Sequence, residues 1–206
     1  IDADEPAEPT DGSCESFVRI LAEAGVKEQD APLQHLVVKE PVTLADGDVY
    51  ISASPYDGFR LSFTIDYDNP TIGTQYASFD IDEETFLKEI ANARTFALKS
   101  DVEDLQKMGL IKGGSLENAI VVGDDGIVNK SDLRFPDEFV RHKILDLMGD
   151  LALLGCPIRG HVYASKSGHA TNVRFVDRLR RSIAEGKIRR GGTTEWDIDA
   201  IEQIMP

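Results

Sequence analysis

In the stretch RHKILDLMGD, His142, Asp146 and Asp150 recur every four residues. Four residues carry an α-helix about 400° round and about 6 Å along its axis, so successive members lie only about 40° apart on one stripe. Phe139, Ile144, Leu147, Met148 and Leu151 surround that stripe with apolar side chains. Polar groups on so buried a helix must face something that satisfies them, and a metal ion would do so. An imidazole and a carboxylate one turn apart suit zinc, which takes nitrogen and oxygen ligands and keeps a water position open when catalytic. Asp150, a further turn on, is placed to orient another histidine as an outer carboxylate. Gly149, on the same side, is expected to let a neighbouring segment approach closely. The spacing alone equally describes an ion pair or a solvated face.

His169 stands in KSGHATN, a glycine-bearing turn between a predicted strand and helix, where a side chain is presented at a strand end. His35 and His161 fall inside predicted strands, where structural roles are expected.

These groups need elements to hold them. The helix bearing the stripe is expected over 136–154, with Pro136 near its first turn and Gly155 as its stop. A strand over 158–165 leads into KSGHATN and then a basic helix ending near Gly186. Upstream, Ser13 is expected to cap a helix that Gly25 ends, with Phe17, Ile20, Leu21 and Ala24 as its apolar stripe. Residues 34–82 read as strands, most clearly FRLSFTIDY, where Phe59, Leu61, Phe63, Ile65 and Tyr67 alternate with polar residues. Turn signals at 45–48, 57–58 and 68–70 make an antiparallel meander the expectation. Asp82 is expected to cap a helix to about Arg94, and Ser100 with Glu103 a second, short one. A strand over 119–122 follows, so 97–128 reads as a strand-helix-strand insertion. The fold class expected is α+β, a layered sandwich of a mostly antiparallel sheet and helices. EGKIRRGGTTEWD has a linker's glycine and charge content, with a fresh capped start at Asp197.

A net charge of −15, with basic residues clustered only from Arg174 to Arg190, argues against nucleic acid as a partner. Cys14 and Cys156 have no paired spacing, which leaves no disulfide framework or thiolate zinc cluster and fits a reducing cytoplasm. No apolar run approaches the roughly 20 residues that span a bilayer. The chain opens at Ile1 and closes at Pro206 within a helical pattern, so it reads as a piece of something longer.

Taken together, ARTFALKSDVEDLQKMGLIKGGSLENAIVV, RFPDEFVRHKILDLMGDLALLG and ASKSGHATN resemble the carboxy-terminal domain of UDP-3-O-acyl-N-acetylglucosamine deacetylase. The resemblance runs evenly from about residue 59 to 180. It implies a two-domain enzyme of the lipid A pathway that deacetylates a UDP-linked, 3-O-acylated glucosamine with one zinc between its domains. Residues 1–30 would then end the first domain and 31–182 form the second. By the family's pattern His142 and Asp146 would be zinc ligands, and His169 the positively charged acid beside the reacting carbonyl, held by Asp150. Thr95 would donate to the oxyanion, with Lys143 nearby. Phe96 would border the sugar or nucleotide pocket, and Lys166 would meet the substrate. Val102, Ile111, Ser115, Leu116 and Ala119 would line an acyl-chain passage in the insertion, or serve only its local packing.

One departure bears on activity. The family's third zinc ligand and its glutamate base form a Glu-His pair in the first domain, and no Glu-His dipeptide occurs in this chain. His35, in LQHLVV, does not match that motif. The expectation is that the pair precedes Ile1 and that the chain alone binds zinc weakly and catalyses poorly. The tail TEWDIDAIEQIMP resembles the first helix of a 3-hydroxyacyl-acyl-carrier-protein dehydratase, which implies that 183–206 are a linker and the start of a fused second enzyme, with acyl carrier protein as a further partner. The rival reading is a non-catalytic module whose insertion binds an acyl chain or another protein.

Overall fold

The computed structural model describes residues 10–27, 29–102 and 115–193. Its main sheet is organised on β9 (Ile158–Ser165), where Ile158, Gly160, Val162 and Ala164 are buried and the residues between them face outward. Such a period of two marks a sheet with one face packed and one face wet. Along most of its length β9 is flanked by β3 (Val49–Ser54), antiparallel, and β4 (Phe59–Asp66), parallel. Its first residues also pair in parallel with β1 (Gln34–Val38). β2 (Val42–Asp46) extends β3 as a hairpin, β5 (Thr74–Asp80) extends β4, and β10 (Ile188–Thr193) pairs antiparallel with β1. The insertion contributes a small second sheet in which β6 (Phe96–Leu98) lies parallel to β7 (Ile120–Gly123), and β7 turns back into β8 (Gly126–Ile127).

The α+β class agrees with the expectation, but the strand order departs from a meander, since β9 stands between the two hairpins. β4 is the reason: Leu61, Ser62, Phe63 and Ile65 are all at most 2% exposed, so it needs a neighbour on each edge. The segment expected as a linker supplies β10 instead. Its Ile188 is buried against the core while Arg189 and Arg190 stay exposed, a pattern suited to a sheet edge.

Helices α1 (Glu15–Glu23), α2 (Glu83–Thr85), α3 (Glu138–Ala152) and α4 (His169–Ala184) accompany the sheets. α3 packs on β4 and β5, α4 on β2 and β10, and the two helices on each other. Phe63, Phe139, Phe175, Ile144, Leu147 and Leu179 fill the layer between them, at 0–1% exposure. Each such side chain contributes about 1.5–3 kcal/mol by leaving water. α3 is two residues shorter at each end than the expected 136–154, and the chain turns at Gly155, which takes a φ of +76°.

Other local expectations shift. Cys14, not Ser13, occupies the cap of α1, while Ser13 Oγ accepts from Glu15 N at 3.4 Å. Asp82 does cap α2 through Thr85 N at 2.7 Å, but the helix widens into a π turn over Phe86–Ile90 and stops there. Ser100 lies inside a helical turn over 99–102 and so is not its cap. A Cβ placed on Gly149 would meet no atom of another segment within 4 Å, so among the described residues none makes the close approach expected there.

α1 buries none of its own residues, yet the segment before it is anchored. Thr95 N donates to Gly12 O at 2.7 Å, Cys14 N to Ala91 O at 3.1 Å, and Arg134 Nη2 to Asp11 Oδ2 at 2.6 Å. Gly12 has a φ of +86°, and a Cβ there would sit 2.3 Å from Asn118 O, so only glycine fits.

Candidate active site

The α3 stripe faces the segment that precedes β6. His142 Nδ1 lies 3.0 Å from Ala93 O, and since a carbonyl can only accept, Nδ1 carries the proton. The other ring nitrogen, Nε2, lies 3.2 Å from Asp146 Oδ1. At that distance Nε2 and the carboxylate oxygen share either a proton, with His142 as an imidazolium, or a metal cation in its place. Donors held about 2.0–2.1 Å from a tetrahedral ion stand about 3.3 Å apart, so the pair fits one edge of a zinc site.

Lys143 Nζ donates to the second carboxylate oxygen, Asp146 Oδ2, at 2.8 Å. Burial pushes the Asp146 carboxyl up, but the hydrogen bond and charge of His142, with those of Lys143, hold it well below the ordinary carboxylate range. Asp146 is thus kept as an anion, the form a metal needs. Among the described residues no set of three or more His, Cys, Asp or Glu side chains forms a metal-holding group. His142 and Asp146 thus form a pair of two facing groups, not a set of three.

His169 is the first residue of α4. Lys166, at a φ of +56°, turns the chain out of β9, and the extended Gly168 caps the helix. His169 Nδ1 lies 2.9 Å from Asp150 Oδ2 and 3.1 Å from Oδ1, while its Nε2 lies 3.8 Å from Asp146 Oδ1. The structure therefore gathers His142, Lys143, Asp146, Asp150 and His169 in one place. The His169 side chain is 68% exposed, which leaves the site open on that side.

Thr95 and Phe96 follow Ala93, whose carbonyl holds His142. Thr95 is fixed by its backbone, donating to Gly12 O and accepting from Ile120 N at 2.7 Å. Phe96 packs edge-on against Phe139, at 4.9 Å between ring centroids, and against Tyr67, at 5.7 Å. Lys166 Nζ is engaged by Asp66 Oδ2 at 2.7 Å and Asp48 Oδ2 at 3.3 Å. In the insertion, Val102 and Ala119 are half-buried while Ser115 and Leu116 are exposed, and Ile111 lies outside the described residues. Those positions are not assembled into a passage by the described residues.

Three residues of this neighbourhood were missed by sequence reasoning. Tyr67, the last member of the alternating FRLSFTIDY run, has its phenol pushed up by burial and feels the charges of Lys143 and Asp146. Glu138 continues the stripe one turn before His142, so the same spacing of four could have found it. It is wholly buried and takes Arg94 Nε at 2.9 Å and Arg94 Nη2 at 3.1 Å. Asn172 reaches Asp150 from α4, and no signal in the local sequence marks it.

A family model described as LpxC, UDP-3-O-acyl N-acetylglycosamine deacetylase, matches residues 1–181. A UDP-3-O-acyl-N-acetylglucosamine deacetylase of Anaeromyxobacter dehalogenans is 45% identical over 207 residues, covering 100% of this chain and 67% of the relative. Proteins of the same name from Myxococcus xanthus and a Geobacter species are 48% and 46% identical over 180 residues, covering 87% of this chain and 57% and 59% of theirs. The chain thus spans between 57% and 67% of the length of these curated relatives. With a family model over most of the chain and such relatives beside it, the chain belongs to the LpxC family of UDP-3-O-acyl-N-acetylglucosamine deacetylases.

Proposed function

We propose that the chain carries part of a zinc-dependent amidase that removes the acetyl group from UDP-3-O-(3-hydroxyacyl)-N-acetylglucosamine in lipid A biosynthesis. The observation that carries the reading is the 3.2 Å approach of His142 Nε2 to Asp146 Oδ1, two ligand atoms facing one another in a member of this family. Zinc, when bound, supplies polarisation of the amide carbonyl and acidification of a water.

The chain's own groups do the rest. His142 and Asp146 would hold the ion, their ring and oxygens fixed by Ala93 O and Lys143. His169, with Nδ1–H on Asp150, would donate from Nε2 as an imidazolium to the developing oxyanion and then to the leaving amine. Thr95 would add a hydroxyl donor, Phe96 and Tyr67 would border the substrate, and Lys166 would meet its charge once released from Asp66 and Asp48. The general base and the third ligand would come from a Glu-His pair, which this sequence lacks, so the chain by itself would be inactive.

The fused dehydratase, with its acyl carrier protein partner, rests only on the tail TEWDIDAIEQIMP, which lies outside the described residues. The Anaeromyxobacter relative is matched through that tail and bears a deacetylase name alone, which favours the simpler reading. No described helix is long and apolar enough to cross a membrane, and a cytoplasmic location is proposed from the unpaired cysteines.

The test is deacetylation of the UDP-linked substrate by protein that includes the Glu-His pair. We expect one zinc per chain and activity abolished by His169→Ala; unchanged turnover in that variant would defeat the reading. A metal-free protein would favour the non-catalytic module.

A further inference from the structure

We propose that Asn172 is a positioning residue, its amide holding the Asp150 carboxylate in the orientation from which that carboxylate grips His169. Asn172 sits one turn after His169 on α4, so both side chains face α3. It is 1% exposed, and its Nδ2 donates to Asp150 Oδ2 at 2.8 Å. The same oxygen takes the Nδ1–H of His169 at 2.9 Å. A buried chain from α4 to α3 and back therefore ends on an exposed ring.

An ionised carboxylate only accepts, so the amide must present its NH₂ to Asp150 and turn its own oxygen away. That oxygen, Asn172 Oδ1, is buried and has no hydrogen-bond partner among the described residues. A buried carbonyl without a partner lowers stability. Packing alone would be better served by leucine, which has nearly the same size and no polar atoms. What leucine cannot do is fix the carboxylate, whose terminal torsion is broad and nearly two-fold. His169 has few other restraints, its ion-pair partners being Asp150 and Asp146. Control of its ring thus passes to Asn172, which among the described residues holds Asp150 from below.

The consequence for catalysis rests on the function proposed above, whereas the consequence for the ring does not. The test is therefore double. Imidazole ¹H–¹⁵N spectra of the chain should show neutral His169 as the Nδ1–H form with a protected Hδ1 proton. In Asn172→Leu that proton should shift and exchange faster, and the tautomers should mix, while the melting temperature holds or rises. In deacetylating protein, kcat should fall about tenfold with KM and zinc content unchanged. A folded Asn172→Leu protein with an unaltered His169 spectrum overturns the inference. Should leucine prevent folding, Asn172→Ala takes its place in the same spectra: a shifted, faster-exchanging Hδ1 supports the inference and an unaltered one overturns it. Absence of deacetylation in the unmutated protein would refute the proposed function and leave the spectra to decide this one.

Discussion

Glu138→Gln keeps the shape of a side chain with no exposed surface and removes its charge. The carboxylate takes Arg94 N and Nε on Oε1, each at 2.9 Å, and Arg94 Nη2 at 3.1 Å and Arg134 N at 2.7 Å on Oε2. A glutamine amide can accept on only one side, so two of these donors would face its N–H groups. The guanidinium of Arg94, a residue 8% exposed, would lose its counter-charge. Removing one partner of a buried pair costs about 3–5 kcal/mol. At about 2–4 °C per kcal/mol for a domain of this size, the melting temperature should fall by about 6–20 °C.

The acid limb supplies a second reading of the same change. Burial works to raise the Glu138 carboxyl, but the side chain and amide of Arg94 and the amide of Arg134 outweigh it and hold the group below its ordinary value. A carboxyl lowered in the folded state stabilises above its unfolded pKa of about 4.3 and loses that contribution as pH falls through the folded value. The gap between wild type and Glu138→Gln should therefore be full at neutral pH and narrow below about pH 4.3. Thermal melts followed by circular dichroism from about pH 3 to pH 7 measure both. The double variant Arg94→Met/Glu138→Leu should recover part of the loss, since it leaves no charge unpaired, although the Arg94 and Arg134 amides lose their acceptor. A melting temperature within about 2 °C of wild type at neutral pH, or a gap that widens in acid, would refute the reasoning.

Gly12→Ala should destabilise by about 2 kcal/mol or more, from a left-handed backbone and a Cβ driven into Asn118 O; a neutral melt would show that this segment is not held as described. Cys14, pushed up to about 11 by burial from an ordinary 9.0, should hold about a hundredfold less thiolate at pH 8 than an unperturbed cysteine and react at least about tenfold more slowly with a thiol reagent. Labelling at the unperturbed rate would mean the thiol is not shielded.

What could be read from sequence was what one element decides alone. His142, Asp146 and Asp150 share a face because helical geometry requires it, and the limits of α3, to within two residues, and of β9 follow from Gly155 and from strict alternation. Strand order was not legible, because alternation says that β4 is buried on one face and nothing about which strand lies beside it. Gly191 and Gly192 with their flanking arginines read as a linker, since an exposed edge strand and a linker share that composition. Glu138 fits the spacing of four, but its pairing was not legible, as its partner Arg94 lies 44 residues away in sequence. The joining of His169 to Asp150 across two helices was anticipated through family resemblance, not through local pattern.

The proposed chemistry depends most on His142 and Asp146 serving one ion. Crystals of protein that includes the Glu-His pair, grown with zinc and with data collected at the zinc absorption edge, test this directly. The predicted result is a single strong anomalous peak about 2.0–2.2 Å from both His142 Nε2 and Asp146 Oδ1, absent in His142→Ala. A peak bound elsewhere, or none beside an intact His142 and Asp146, would contradict it.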